Sequence, residues 1–441
     1  MGERSKVWYM DDRAAGAQDS LVIKMVEVFK GAGIPEKIKA GDHVAMKLHM
    51  GEWNNTSYLR PVYVRALADE IKRLGAVPFA VDTTTVPYTP FPTRTTAVDY
   101  LNTVHRNGYE PGVIGCPIII ADGFLGLDDV HVDLPEGMIL KEQYVAMGIF
   151  MADYMVVLSH FKGHPLGIYG GAIKNIGIGA VSRRGKYNCH MSRHPKYGLH
   201  QRPYYAHLCI GKECPQWTLC QTVCPENAFT LQADNKPHIQ LDRDKCTGCL
   251  ACAHQVMCGV VLPTEGFFEA LAVAIADSAL AVTKVVGKEK MAFINLAIDM
   301  SPWCDCVPFS DRSVVPNLGV LASYDPVAID RATLDLTTLS FGVPGSKAEE
   351  MGVMFPGSEK FSAAGSFVGA SQNIQCNVGE KVGLGTKAYE LVKLTPPEDF
   401  TPYMLDRRPA GLTTGRFYRK KHWLPKEGFK RSPEVNFEEV R

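Results

Sequence analysis

The sequence has no uninterrupted apolar run of about 18 residues, the length a membrane-crossing helix needs. Its best candidate, Phe267 to Val286, is broken by Glu269, Asp277 and Lys284 and reads as a buried or amphipathic helix. It also lacks an excess of either charge: 47 Lys plus Arg meet 47 Asp plus Glu, for a net charge of zero. That excludes a protein whose whole surface coats nucleic acid or an anionic membrane, while a local basic site remains allowed. The opening residues, MGERSKVWYMDD, turn acidic at once and hold no apolar signal core. Position 6 is Lys6, where a myristoylation signal needs Ser or Thr. The cytoplasm is the expected compartment. No internal repeat and no low-complexity tract is present.

What the chain does have is apolar content. At 441 residues, 46% hydrophobic and 21% charged, it can bury a sizeable core and is not a disordered chain. Length alone suggests two or three domains. Through residue 205, apolar strands (43–49, 77–81, 117–121, 154–158) alternate with helical stretches (60–74, closing at Gly75, and 94–107). This rhythm predicts an α/β body with a mainly parallel sheet. It resumes after residue 262 with a long helix from Glu265, strands at 291–298 and 318–322, and a helix at 325–339. Asp325 is placed to cap that last helix and Pro326 to start it. The expected organisation is a body in two parts, 1–205 and 263–394, a Cys-rich insert at 206–262, and an extended arm at 395–441.

Eight of the 13 cysteines lie between Cys209 and Cys258. Cytosolic thiols stay reduced, so clustered cysteines more often bind metal than form disulfides. Cys246, Cys249 and Cys252 form a C-x2-C-x2-C run, which wraps one face of a cubic iron–sulfur cluster. In two-cluster ferredoxins each motif donates its last cysteine to the other cluster. Cys224, followed by Pro225, therefore completes the first set. By the same exchange Cys258 joins Cys209, Cys214 and Cys220. The spacing around these three is wider than in a ferredoxin run. The insert is thus expected to be a bacterial-ferredoxin-like α+β domain with two [4Fe–4S] clusters. Zinc is the alternative, although zinc knuckles use paired C-x2-C elements and not a triad plus a remote C-P.

Residues 159–186, SHFKGHPLGIYGGAIKNIGIGAVSRRGK, follow directly on an apolar strand, where open α/β sheets bind ligands. They form neither a dinucleotide G-x-G-x-x-G nor a P-loop. From Tyr154 to Lys212 there is no Asp or Glu, but there are nine Lys or Arg and six of the 13 His. That marks a candidate anion site. The alternative is that these cations offset cluster charge or face water. Candidate ligand-holding residues are Lys162, Gly170, Gly171, Lys174, Asn175, Arg183, Arg184 and Lys186. His160 and His164 are candidates for proton donation or substrate hydrogen bonding more than for metal. Cys304 and Cys306, in DMSPWCDC, form a C-x-C pair. They are read as packed thiols, a redox pair or, with Asp299, Asp305 and Asp311, a metal site. Thr83 to Thr85 read equally as a helix cap or as ligand hydrogen-bonders.

The run HFKGH…GGAIKNIGIG…RRGK, the ferredoxin element, DMSPWCDC and SYDPVAID together resemble the uncharacterised iron–sulfur centre proteins of domain-of-unknown-function family 362. The resemblance covers roughly residues 40–345. It implies an α/β body with a ferredoxin-type insert, often in anaerobes, and little about the reaction. It also favours a functional role for the Cys304/Cys306 pair. The wider spacing around Cys209, Cys214 and Cys220 departs from the family pattern.

Three functions are expected in descending order. The first is a reductase that passes low-potential electrons from an external ferredoxin, or a similar donor, to a small anionic substrate or cofactor in the basic pocket. In it Lys174 and Lys162 hold the anion, and His164 or His160 supplies a proton. The second is a non-enzymatic electron-transfer subunit for a partner metalloenzyme. The third follows from a faint similarity of GGAIKN to the nickel-pincer lactate racemase family, and makes Lys174 a cofactor anchor. A further organic or metal cofactor stays open. The arm from Arg416 to Arg431 carries seven Lys or Arg against one acid, interleaved with Phe417, Tyr418, Trp423 and Phe429. Such anchors suggest an interface, with a homodimer expected and wrapping of its own domain as the alternative.

Overall fold

The computed structural model describes residues 4–86, 93–190, 205–246, 251–252, 258, 260, 266–365, 369–398, 425–431 and single positions 434, 436 and 438. Cys249, residues 191–204 and nearly all of the arm lie outside the described residues. The chain divides into a unit of residues 1–396 and a C-terminal piece from Pro397 onward. In that piece Arg431 lies over the Phe429 ring, 5.9 Å from its centroid.

The elements, in chain order, begin with β1 (Ser5–Met10), α1 (Leu21–Gly31), β2 (His43–Lys47), α2 (Pro61–Arg73), β3 (Val77–Asp82), α3 (Ala97–Arg106) and β4 (Ile118–Ile120). Then come β5 (Asp129–Asp133), β6 (Glu142–Ala146), β7 (Tyr154–His160), β8 (Lys162–His164), β9 (Ile168–Gly170), α4 (Ala172–Gly177) and α5 (Arg183–His190). The Cys-rich region holds α6 (Trp217–Thr222), β10 (Phe229–Leu231) and β11 (Ile239–Leu241). Short one-turn helices aside, there follow α7 (Phe267–Val286), β12 (Met291–Ala297), β13 (Gly319–Ser323), α8 (Pro326–Leu339), α9 (Ile374–Lys381) and β14 (Tyr389–Lys393).

Eight strands form one sheet in the order β14-β1-β13-β12-β7-β2-β3-β4. Every neighbouring pair is parallel except the two made by β13. The expected mainly parallel α/β sheet is present. β7 and β12 are buried at every position, and such near-continuous apolar runs are what parallel strands covered on both faces require. After β2 the chain winds outward through β3 and β4, then returns to lay β7 on the other side of β2. At such a reversal an open α/β sheet leaves a crevice beyond the carboxyl ends of its strands.

Local chemistry sets the helix starts. The Thr96 hydroxyl and the Asp99 carboxylate form a reciprocal capping box on α3. Asp325 accepts from the Val327 and Ala328 N–H groups at 2.9 and 3.0 Å, with Pro326 in first position, so α8 starts as expected. Gly75 follows α2 with φ of +79°, a conformation that favours glycine. α7 packs on α4, α5, α9 and β6. Its buried Asp277 accepts from the backbone N–H groups of Met138, Ile139 and Leu140 at 2.8, 2.6 and 3.0 Å. An acid can therefore sit in the core without a cation. Among the described residues no helix is long and apolar enough to cross a membrane.

In the Cys-rich region α6 packs on the antiparallel β10–β11 hairpin around a small core of Cys220, Val223, Phe229, Ile239, Ala251 and Val260. Cys252 touches both this core and that of the body.

Candidate functional site

A cavity of about 580 Å³ opens beyond the carboxyl ends of β2, β3 and β7, at the topological reversal. Lys47, Asp82 and His160 reach it from those three strands, and the 162–179 segment and the 303–309 loop close it. Lys47, one residue wide of an otherwise apolar strand, is fully buried. Its ammonium lies 2.9 Å from Asp82 and donates to the Asn175 Oδ1 at 2.8 Å. Asn175 spends its amide N–H groups on Leu158 O and Ser159 Oγ at 3.1 and 3.0 Å. It ties α4 to the sheet. Arg94 pairs with Glu52 at 2.8 Å in the same wall.

The acid-free stretch 154–212 meets its acids from elsewhere in the fold. Asp305, fully buried, accepts from the Lys162 ammonium at 2.9 Å and from His160 Nδ1 at 2.8 Å. His160 Nε2 lies 2.7 Å from Ile298 O. Both ring nitrogens face acceptors, so the ring is fixed from both sides. Burial would raise the Asp305 carboxyl, but His160 and Lys162 outweigh it and hold it well below the usual range. Lys162 and His160 thus differ from expectation. They are a buried ion-pair network that anchors the 304–306 loop, not free groups for an anion and a proton. Asp299 pairs with Arg60 at 2.7 Å. The acids flanking the C-x-C motif therefore do not converge on its sulfurs.

The two cysteines meet the glycine segment. Lys174 Nζ lies 3.4 Å from Cys304 Sγ, and His164 Nε2 lies 3.8 Å from Cys306 Sγ. The two sulfurs and that nitrogen all lie within 4.8 Å of one another. Cys304 is fully buried, and Cys306 lines the cavity. Burial alone would raise the Cys304 thiol, but the hydrogen bond from Cys306, then Lys174, Lys162 and His164, hold it well below the ordinary thiol range. Cys306 moves the other way, first through that same hydrogen bond and then by burial. The pair therefore shares one proton. His164 Nδ1 accepts from the N–H groups of Leu166 and Gly167 at 3.1 and 2.7 Å. Burial, then Lys174, pushes this histidine down to about 4, so it is neutral with its hydrogen on Nε2. By contrast, burial pushes the remote thiols of Cys116 and Cys189 up to about 11 and that of Cys376 to about 12. Those three are inert packing groups.

Two glycines are dictated by close approach. A Cβ on Gly163 would collide with the Pro302 carbonyl, and one on Gly171 with the Asp330 carboxylate. Asp330 accepts from the first N–H groups of α4, those of Ala172 and Ile173, at 2.7 and 2.9 Å. Gly170 and Gly171 line the cavity beside Lys174.

Lys186 also reaches the cavity, where it donates to Thr83 Oγ1 and to Val181 O. Burial pushes its ammonium down to about 8. Thr83 and Thr85 line the cavity. Arg184 pairs instead with Asp129 at 3.4 Å and stacks over Tyr144. The Arg183 Nε donates to Thr85 O at 3.1 Å. Neither arginine lines the cavity. Among the described cations of the glycine segment, Lys174 and Lys186 reach the cavity without a carboxylate ion pair. Lys47, Glu52, Asp82 and Arg94 were not singled out in the sequence as site residues. A lysine inside the apolar strand HVAMK was the available signal for one of them.

A second cavity, of about 160 Å³, lies in the Cys-rich region and is lined by five cysteines, Cys209, Cys214, Cys220, Cys252 and Cys258; the sequence spacing sets Cys252 with the other donor set. Burial, then Cys258, Cys214 and Cys209, push Cys220 up to about 11. Cys224 and Cys246 do not line it. The two cavities share α6: Leu219 lines the larger and the adjacent Cys220 the smaller.

The family model described as "Domain of unknown function (DUF362)" matches residues 44–335, a span that holds every residue lining the large cavity. No curated protein matches the sequence. Among solved structures the chain is similar to the lactate racemase apoprotein from Thermoanaerobacterium thermosaccharolyticum, at 10% identity and a TM-score of 0.31. The match covers 67% of this chain and 51% of that one, so the chain spans about half the length of that protein.

Proposed function

The chain belongs to the family described as Domain of unknown function (DUF362), and on that footing we propose that it is an iron–sulfur oxidoreductase whose substrate occupies the large cavity. Residues 206–262 are then the ferredoxin-like insert, between body segments 1–205 and 263–394. The donor sets are Cys209, Cys214, Cys220 and Cys258 for one [4Fe–4S] cluster and Cys224, Cys246, Cys249 and Cys252 for the other. The first set fits a cluster better than one zinc ion. Four thiolates on a tetrahedral zinc stand about 3.8 Å apart, from zinc–sulfur bonds of about 2.3 Å. Among the described residues no three of these cysteines come within 4.8 Å of one another, while all four line a cavity of about 160 Å³ together with Cys252. Bound there, a cluster supplies and stores one electron at a time.

The observation that carries the reading is α6, which places Leu219 in the wall of the large cavity and Cys220 in the wall of the small one. Electron chemistry in the insert and ligand chemistry in the body are then one side chain apart. In the body, Lys174 and Lys186 meet an anionic group on the ligand, and His164 presents its Nε2–H. The paired Lys47–Asp82 and Lys162–Asp305 groups hold the walls rigid. An external ferredoxin, or a donor like it, fits as the electron source, with the arm at 395–441 as the proposed contact of a homodimer.

The depth of the cavity favours an enzyme over a carrier subunit, which needs only a docking face over a cluster. A cofactor anchor at Lys174 is less well supported, because it rests on the short GGAIKN similarity alone. Anaerobic purification decides the central point. About eight iron and eight acid-labile sulfide per chain are expected from two cubic clusters. Stoichiometric zinc without sulfide would sink the reading.

A further inference from the structure

We propose that Cys304 and Cys306 are a redox-active dithiol, a two-electron site that opens on the large cavity and reduces a bound organic disulfide. The inference rests on the oxidoreductase reading only for the source of the electrons that reset the pair.

The geometry is that of a working thiol pair. One sulfur is buried beside an ammonium, at 3.4 Å from Lys174 Nζ, and the other lines the cavity. Their loop cannot drift, because the residue between them, Asp305, is held by His160 and Lys162. Gly163 packs against the same loop, its N–H donating to Ser301 O at 2.9 Å. A thiol pair that shares one proton offers a nucleophilic thiolate and a resolving thiol together.

A single metal ion is the rival occupant, since His164 Nε2 and both sulfurs lie close enough to share one. The histidine argues against it. Its Nδ1 already accepts two backbone N–H groups, so the hydrogen sits on Nε2, the atom that would have to bind the metal. Metal-binding histidines normally show the reverse, with the second nitrogen donating to an oxygen. Here Nε2–H points at sulfur and stabilises negative charge there.

The step balances without another cofactor. With the shared proton on Cys304, the Cys306 thiolate that lines the cavity attacks one sulfur of R–S–S–R′, that bond breaks, and R′S⁻ leaves and takes a proton from the cavity. The remaining thiol loses its proton and attacks the mixed disulfide, forming the Cys304–Cys306 bond and releasing RSH. Two electrons pass from the pair to the substrate, and the pair is reset by a dithiol reductant or by two one-electron transfers.

The test uses the anaerobically purified full chain with glutathione disulfide as the probe. Free thiols are trapped with a maleimide, and the digest is read by mass spectrometry. The peptide holding Cys304 and Cys306 should lose two hydrogens and take no maleimide, with about two glutathione released per chain. Iron content should not change, and dithiothreitol should restore both thiols. Cys304→Ser should stall as a glutathione adduct on Cys306, the sulfur that lines the cavity. Both cysteines fully labelled in wild-type protein, with iron and sulfide intact, would overturn the dithiol and leave the oxidoreductase reading standing. The disulfide formed in protein that lacks iron and sulfide would support the dithiol and defeat that reading. Added zinc ion that binds stoichiometrically and shields both thiols from the maleimide would also overturn it.

Discussion

Lys174 and Cys304, 130 residues apart in sequence, stand with Nζ and Sγ 3.4 Å apart. Lys174 thereby sets an ammonium against the buried sulfur of the C-x-C loop, and its charge favours the thiolate.

Lys174→Met should therefore slow thiol labelling at neutral pH. An opposite charge at this range typically lowers a pKa by about 1–3 units, so its loss should cut the thiolate fraction by about tenfold or more. Lys162, His164, Cys306, Asp305 and His49 also face Cys304 and remain in the variant. The pH profile of iodoacetamide labelling should move upward while iron content stays constant. An unmoved profile would separate the lysine from the sulfur.

Cys224→Ser and Cys258→Ser should damage different clusters. Cys258 lines the cavity with Cys209, Cys214 and Cys220, whereas Cys224 does not. Each variant should keep about four of about eight iron atoms. Spectra of the two should differ and should sum to that of the wild type. If both variants lose the same signal, the exchange of ligands between motifs is wrong.

Asp305→Asn should destabilise the fold by about 3–5 kcal/mol, because it leaves the buried Lys162 ammonium without its counter-charge. In the wild type the Asp305 carboxyl is held below its usual value. Its contribution is present above about pH 4, the unfolded value, and is lost as pH falls toward the folded value. Denaturant unfolding across pH 3–7 should show this acid limb weakened in Asp305→Asn.

Lys186, pushed down to about 8 chiefly by burial, predicts a limit on anion binding. Affinity for inorganic phosphate, measured by calorimetry, should fall as pH rises through about 8, by up to tenfold per pH unit. Unfolding does not mimic this. A lysine depressed in the fold is less protonated there than in the unfolded chain, so its contribution to stability rises between pH 8 and about 10.4. Constant affinity from pH 7 to 10 would remove Lys186 from the ligand site.

The sheet was largely legible in the sequence because its central strands are buried on both faces and are written as apolar runs: 77–81, 154–158 and 291–298 reappear as β3, β7 and β12. β1 and β14 were not, since SKVWYM and YELVK mix polar with apolar residues and pair with partners at the far end of the chain. His164, Lys174, Lys186, Cys304 and Cys306 stood out as residue types. Their relations did not. That Asp305 answers His160 across 145 positions follows from strand order, which periodicity does not encode. An acid-free stretch likewise looked like open positive charge until the fold supplied Asp129 and Asp305 from elsewhere.

The parallel strands also work as a ruler. β3, β2 and β7 lie side by side, and neighbouring strands are about 4.8 Å apart, so their ends mark out a row about 10 Å long beneath the cavity. That length is set by backbone hydrogen bonding and does not change with side-chain substitution. Relatives that share the sheet can differ in how deep a ligand sits, through the 303–309 loop, or in which end of it is gripped, through Lys174 or Lys186. They share the width across which any ligand must lie. Ligand breadth is a property of the fold, and ligand chemistry is a property of the loops.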